Sequence, residues 1–355
     1  VIMYRQMEFV TTKELGFNKE QILVIQTNAG WSEESDMAIE RFRNRARNEG
    51  AIKTVSGTSS SFNQRWSRYG YTIKDEEKYA YVYRVGPYYA EILDLTFIEG
   101  RNFDEGIASD STAIIVNEAL VKDMGWTNPL NEYLNWREDS LTRGSRVIGV
   151  VKDYHFLSLE KEIEPVFLSM DKKHVGYLSS MMVAIDGRDV PGNLQKVKSM
   201  WDELNPDKPF EYSFLDEDIN RQYEKHQRWM KIAGLSTIFA ILIAALGLFG
   251  LAGVNAINRT KEVGIRKVMG ASLSNIFVLL NRQYVWMALI AFALATPFSW
   301  YVMDQWISDF KYHITIGWEV FAISMIPGLA IALLTVTYHA LRAAGTNPAE
   351  TLKYE

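Results

Sequence analysis

Cysteine is absent from the 355-residue sequence. Disulfide frameworks, thiolate metal sites and cysteine nucleophiles are thereby excluded. The compartment stays open, because an extracytoplasmic domain of this size can do without disulfides. Histidine is scarce, with only His155, His174, His226, His313 and His339. None falls in HExxH or another metal spacing, so they read as scattered surface or interface residues. A basic excess is missing as well: net charge is −5, and a nucleic-acid surface needs clustered Lys and Arg. The chain has no Gly-x-Ser-x-Gly elbow, and no enzyme active site is expected. Its opening, VIMYRQMEFV, has neither an initiator Met nor a basic stretch ahead of an apolar core, and this stretch is not expected to act as a secretory leader. VIM reads either as the tail of a membrane helix or as the start of an ordinary buried helix.

What the sequence does have is apolarity gathered at one end. Hydrophobic residues are 48% and charged residues 23%, an average typical of soluble proteins that hides the concentration after residue 231. Residues 232–256, IAGLSTIFAILIAALGLFGLAGVNA, carry no charge and exceed the roughly 20 residues that cross a bilayer. Ala240, Ala244 and Gly247 form a small-residue stripe suited to close helix contact in lipid. A second span is expected over 284–303, with Arg282 snorkelling before it, Pro297 kinking it, and Trp300 and Tyr301 as interfacial anchors. A third covers 318–341, with Trp318 at one interface, Tyr338 and Arg342 at the other, a bend at Pro327-Gly328, and Glu319 at the edge.

Basic residues in short loops set orientation. Loop 258–273 has Arg259, Lys261, Arg266 and Lys267, whereas loop 304–317 has Lys311 with Asp304 and Asp309. The first loop and the C-terminal tail are therefore expected in the cytoplasm, and loop 304–317 with the large N-terminal part outside. Residues 232–355 hold eight basic and six acidic residues, a net +2, which leaves −7 on residues 1–231.

The N-terminal part reads as α+β in two lobes. QILVIQT (21–27), a helix over 32–50 and AIKTVSGTS make one β-α-β unit. YLSSMMVAI (177–185), a helix over 189–204 and PFEYSFLD (209–216) make another. In the second helix Pro191 sits in the first turn, and Leu194, Val197, Trp201 and Leu204 share a face. Both units are expected to build one lobe, with 62–175 inserted as a second. The insert contains YAYVYRV (79–85), alternating like a half-buried strand, then STAIIVNEALVKDMGW (111–126) and SRVIGVVKDYHF (145–156). Residues 216–231 read as one amphipathic helix entering the first span, with Asp216, Glu217 and Asp218 at its N-terminus, where acids suit the helix dipole better than a cation site.

The segment NRTKEVGIRKVMGAS (258–272) interrupts the apolar region. A phosphate loop fails there on spacing: five residues separate Gly264 from Gly270, one too many, and Ala271 stands where the Lys is required. A short helix is expected instead, from Lys261 to Met269, with Thr260 as N-cap and Gly270 as C-cap. Glu262 and Arg266 form an i,i+4 pair, with Lys267 toward the negative end. Ile265, Val268 and Met269 share a face that suits membrane or neighbouring helices. Val263, on the charged face, suits a cytoplasmic partner. A positive-inside loop without any partner is the other reading.

RTKEVGIRKVMGAS resembles the cytoplasmic loop motif of the FtsX-like, MacB-type permeases of ATP-binding-cassette transporters. GRNFDEG, AIIVNEALVKDMGW, NPLNEYL and RVIGVVKDYHFLSLEKEIEPVFL resemble that family's extracytoplasmic domain. WISDFKYHITIGWEVF and NPAETLKYE are similar to two-repeat permeases common in Bacteroidetes, which implies the C-terminal half of a longer permease. The family half has four spans, so the first is expected to be missing or to survive as VIM.

The resemblance implies a division into 1–20, the end of a preceding membrane helix or stalk; 21–61 with 176–215, a porter-like lobe; 62–175, the inserted lobe; and 216–231, a stalk helix. There follow a membrane helix at 232–256, a cytoplasmic coupling loop at 257–273, an amphipathic lead-in with membrane helix at 274–303, an extracytoplasmic loop at 304–317, a membrane helix at 318–342 and a cytoplasmic tail at 343–355.

It implies that Arg259, Lys261, Glu262, Val263, Gly264, Ile265, Arg266, Lys267, Met269 and Gly270 couple to an ATPase, Val263 standing where the family commonly has Ile. The implied function is a non-enzymatic permease of the bacterial inner membrane, multi-pass, with its large domain in the periplasm. It relays ATP-driven motion for export or efflux, with ATP and Mg on a separate ATPase subunit and no cofactor in this chain. A second permease half or a second copy, a periplasmic adaptor, an outer-membrane channel and lipid are the further partners. The alternative is a signalling scaffold that activates an envelope hydrolase.

Overall fold

The computed structural model describes residues 1–62, 67–73, 76–136 and 144–345. The stretch NPAETLKYE and the side chain of Arg342 lie outside what is described. The chain divides into two compact units, Val1–Thr11 with Lys225–Glu355, and Thr12–Glu224. In chain order the first helix, α1 (Ile2–Thr12), opens the former.

The α+β unit begins with β1 (Ile22–Gln26), α2 (Glu33–Ala46) and β2 (Ile52–Thr58). Next come β3 (Ser67–Ile73), β4 (Glu76–Arg84), α3 (Tyr89–Ile92), β5 (Phe97–Gly100), β6 (Ile114–Asn117) and α4 (Glu118–Met124). Then follow β7 (Tyr133–Leu134), β8 (Ser145–Val151), β9 (Val166–Ser169) and α5 (Lys172–Val175). The unit closes with β10 (Ser180–Ile185), α6 (Val190–Leu204), β11 (Tyr212–Phe214) and α7 (Leu215–Arg221).

One sheet has the order β11-β1-β10-β2, with every neighbouring pair antiparallel. Each β-α-β crossover skips a position that a strand of the other crossover fills, the split β-α-β arrangement of ferredoxin-like folds. Ser32 caps α2, and Glu33, Glu34 and Asp36 occupy its positive first turn. On one face of the sheet Phe42 of α2 and Val197 and Trp201 of α6 close over Leu23, Ile25, Val55 and Val183. On the other lie α3 and α7. Coverage of both faces explains why β1 is a continuous apolar run rather than an alternating one.

A second, mixed sheet runs β3-β4-β9-β6-β8-β5, with β7 paired to β8. Its core joins Val82, Ile114, Val116, Leu120, Trp136, Val147 and Phe167. The half-buried strand expected at 79–85 is instead buried throughout from Ala80 to Arg84. Ala80 and Val82 face the core, while Tyr81 and Tyr83 pack on Phe156 at ring-centroid distances of 5.2 and 6.0 Å. Gly100 ends β5 at φ +76°, where a Cβ would lie 2.2 Å from the Ile148 carbonyl oxygen, so the close turn into Arg101 requires glycine.

The two sheets meet through a buried bidentate pair. Arg84 donates to both carboxylate oxygens of Asp36 at 2.8 and 2.9 Å, and the Leu178 amide donates to the same carboxylate at 2.9 Å. Backbone pairing of Thr58 with Val85 extends the junction.

The helical unit holds α1, α8 (Glu224–Asn258), α9 (Thr260–Val268), α10 (Leu273–Ile307) and α11 (Trp318–Gly345). Three of these are long and apolar enough to cross a membrane, over Glu224–Asn258, Ser274–Ile307 and Trp318–His339. Pro297 and Pro327 lie inside continuous helices. Ala240, Ala244 and Gly247 are exposed, and among the described residues of α8 only Ala252 is buried. α10 and α11 pack along each other. Ile2 of α1 is buried with Ile307 and Val320, and Gln6 clasps the 312–314 backbone, donating to the Tyr312 carbonyl at 3.1 Å and accepting from the Ile314 amide at 2.9 Å.

The single helix expected over 216–231 is two. The backbone leaves α7 at Gln222-Tyr223 before α8 starts. Tyr223 is held in place because its hydroxyl accepts from the buried Leu159 amide at 2.9 Å. Nor do the acids at 216–218 cap by hydrogen bond. The N-cap of α7 is Phe214, and Asp218 is buried, accepting from the Ser213 hydroxyl at 2.7 Å and pairing with Arg221 at 3.2 Å.

Candidate functional site

The charged helix α9 starts one residue after α8 ends. With no extended residue between them, Thr260 does not serve as N-cap as the sequence suggests. That position falls to Arg259, which makes no side-chain cap. The Thr260 hydroxyl instead donates back to the carbonyls of Ala256 and Ile257 at 3.0 and 2.8 Å, tying α9 to the last turn of α8. The other end closes as a Schellman turn: the Ala271 amide donates to the Arg266 carbonyl at 2.9 Å and the Gly270 amide to Lys267 at 3.1 Å. Gly270 has φ +90°, which glycine adopts without a Cβ clash. Ser272 then caps α10 by accepting from the Asn275 amide.

Val263 is 2% exposed, while Ile265, Val268 and Met269 are 51%, 66% and 82% exposed. Val263, expected to face a partner, is instead packed inside the chain, and Ile265, Val268 and Met269 point away from its other helices. At about 100° per residue, Val263 and Ile265 lie on opposite sides of the helix. The side turned inward is the one with the single valine, which seats against Ile276 and Leu280 of α10 with Phe277 and Ala271 around it. Only residues 269–272 join α9 to α10, and only Arg259 joins α8 to α9. These short connections fix the rotation of α9, and three apolar side chains are left outward.

Of the other expected residues, Arg259 reaches the Gln283 Oε1 of α10 at 3.4 Å. Glu262 pairs with Arg266 at 2.8 Å, both largely exposed, an interaction worth a few tenths of a kcal/mol. Gly264 is buried beside Val263, Lys261 is exposed and Lys267 is half-buried. The outward surface is thus an apolar patch flanked by Lys261 and the Glu262–Arg266 pair. An exposed apolar patch of this kind marks an interaction surface.

The residues that hold this surface, Ile276, Leu280 and Tyr284 of α10, were not singled out from the sequence. Their i,i+4 spacing ahead of the second span is the signal that could have found them. The Asn255 side-chain amide donates to the Tyr284 hydroxyl at 3.0 Å, a pairing between helices far apart in sequence that no local pattern encodes.

The sequence model of the FtsX-like permease C-terminal family matches residues 234–348, which contain α9. The macrolide export ATP-binding/permease protein MacB of Neisseria gonorrhoeae is 23% identical over 292 residues, 79% of this chain and 44% of that protein. The chain therefore spans less than half the length of that relative. The uncharacterized ABC transporter permease YknZ of Bacillus subtilis is 24% identical over 324 residues, 86% of this chain and 76% of that protein. Among solved structures, the periplasmic region of MacB from Actinobacillus actinomycetemcomitans superposes with a TM-score of 0.42 at 17% identity, over 60% of this chain and 97% of that one. The membrane helices and α9 thus lie in a region that matches the FtsX-like permease C-terminal family, and most of the chain is similar to the MacB and YknZ permease proteins of ABC transporters.

Proposed function

We propose that the chain relays ATP-driven motion from a cytoplasmic cassette ATPase, docked on α9, to the α+β unit on the far side of the bacterial inner membrane, in the service of export. The observation that carries this reading is the outward patch of Ile265, Val268 and Met269 on a helix that its own chain anchors through Val263. An isolated nine-residue helix is not stable in water, so α9 depends on that anchor and presents a preformed face. A push on the face passes to α10 through Val263. It also passes along α8, which runs 35 residues from the α+β unit to α9.

ATP and Mg belong to the partner. The MacB relatives are named ATP-binding/permease proteins, so the ATP-binding part lies either on a separate subunit, as the sequence led us to expect, or on another stretch of the same polypeptide. A second permease half or a second copy of the chain would complete the membrane region, and an adaptor and outer-membrane channel would extend the path.

The test is co-purification with the cassette ATPase encoded beside the permease. Ile265→Asp and Met269→Asp are expected to abolish association while leaving the permease folded. Retention of the ATPase by both variants would show that α9 is not the docking element.

A further inference from the structure

Beyond the docking face, a polar layer crosses the helical unit just before α9. Asn255 of α8 donates to the Tyr284 hydroxyl of α10 at 3.0 Å, and Tyr284 is buried with Ala252 and Val336. One turn on, Arg259 reaches Gln283. From α11, His339 packs on Phe249 with centroids 4.2 Å apart and ring planes tilted by 54°, and lies against Gly253, where a Cβ would come within 3.1 Å of the imidazole. The His339 Nε2 is buried without a hydrogen-bond partner among the described residues. Asn255, Arg259, Gln283, Tyr284 and His339 all border one small cavity.

Polar side chains inside an apolar helix contact cost free energy unless paired, and a paired set fixes the register of the helices that share it. Here the stretch of α10 from 276 to 284 meets both α9 and the end of α8. Ile276 and Leu280 hold Val263, and Tyr284 holds the last turn of α8.

We propose that Asn255 and Tyr284 are positioning residues, forming the pivot that sets where α9 sits relative to α10 and α8. The inference deepens the coupling reading, on which its purpose rests, yet it concerns the chain alone. Only Arg259 separates α9 from the last turn of α8, so a displacement of α9 against α10 loads the Asn255–Tyr284 bond one turn away.

Amide hydrogen exchange of the full chain in detergent, followed by mass spectrometry, tests this without any ATPase. Tyr284→Phe removes one hydroxyl, and Asn255→Ala removes the donor. Each is expected to speed exchange over residues 259–268 about fivefold, with no change over α6 as the internal control. The double variant should exchange no faster than the faster single one, because both delete the same bond. Exchange over 259–268 within twofold of the parent in both single variants would overturn the pivot. So would an equal rise over α6, or a double variant whose effect is the product of the two. Loss of ATPase binding by α9 variants bears on the docking reading, so the two can fail independently.

Discussion

Val263 shows how one side chain decides the use of an element. Val263→Ala takes two methyl groups from a closed contact with Ile276 and Leu280 and is expected to cost about 1–2 kcal/mol. Met269→Ser, on the exposed patch, should stay within about 0.5 kcal/mol. Thermal melting of the solubilised protein by tryptophan fluorescence separates the two, and equal shifts would contradict the burial of Val263. His155 is a second residue with a readable consequence. Burial, helped by the nearby Lys13 charge, lowers its pKa from 6.5 to about 4. Between those values the unfolded chain binds a proton that the folded unit refuses, so stability is full above about pH 6.5 and falls as pH drops toward 4. Burial raises Asp153 and Asp218, which act in the opposite sense and gain as they protonate. His155→Gln should therefore lose less melting temperature than the parent between pH 7 and pH 5. Identical losses would place the acid sensitivity elsewhere.

At the scale of elements, hydrogen bonds between residues distant in sequence lie at the break between α7 and α8 and one turn ahead of α9. At 222–223 the bond is the Tyr223 hydroxyl accepting from the Leu159 amide. Tyr223→Phe leaves a buried N–H unpaired, at a cost of about 1–3 kcal/mol. Lower thermal stability of the α+β unit is expected, and an unchanged melting curve would mean that the junction does not depend on this bond. Ahead of α9, Asn255 in the last turn of α8 donates to Tyr284. The existence of the long helices was legible in the sequence from apolar runs. The junctions were not, because their hydrogen bonds reach 29 and 64 residues along the chain.

For the whole molecule, charge and length together fix a topology that can be checked. Four basic residues lie in 258–273 and one in 304–317. α10 has 35 residues, about 52 Å at 1.5 Å per residue, which exceeds a hydrocarbon core of about 30 Å. Its two ends should therefore lie on opposite sides of the membrane. The native chain has no cysteine, so single cysteines report cleanly. In spheroplasts a membrane-impermeant maleimide should label Ser308→Cys directly, and Met269→Cys only after permeabilisation. The reverse pattern would invert the molecule and remove the docking face from the cytoplasm.

The order of residues by itself determined three helices long and apolar enough to cross a membrane and two β-α-β units in the α+β part, because long apolar runs and period-3.6 faces are local properties. It also determined that α9 would have two unlike faces. Which face turned inward was decided only by the tertiary structure. The short links on either side of α9 set its rotation, and Ile276 and Leu280 offered a seat that fits Val263. The hydrophobic pattern favoured burying Ile265, Val268 and Met269, but a helix tethered at both ends cannot turn to follow it, and those three side chains stay exposed.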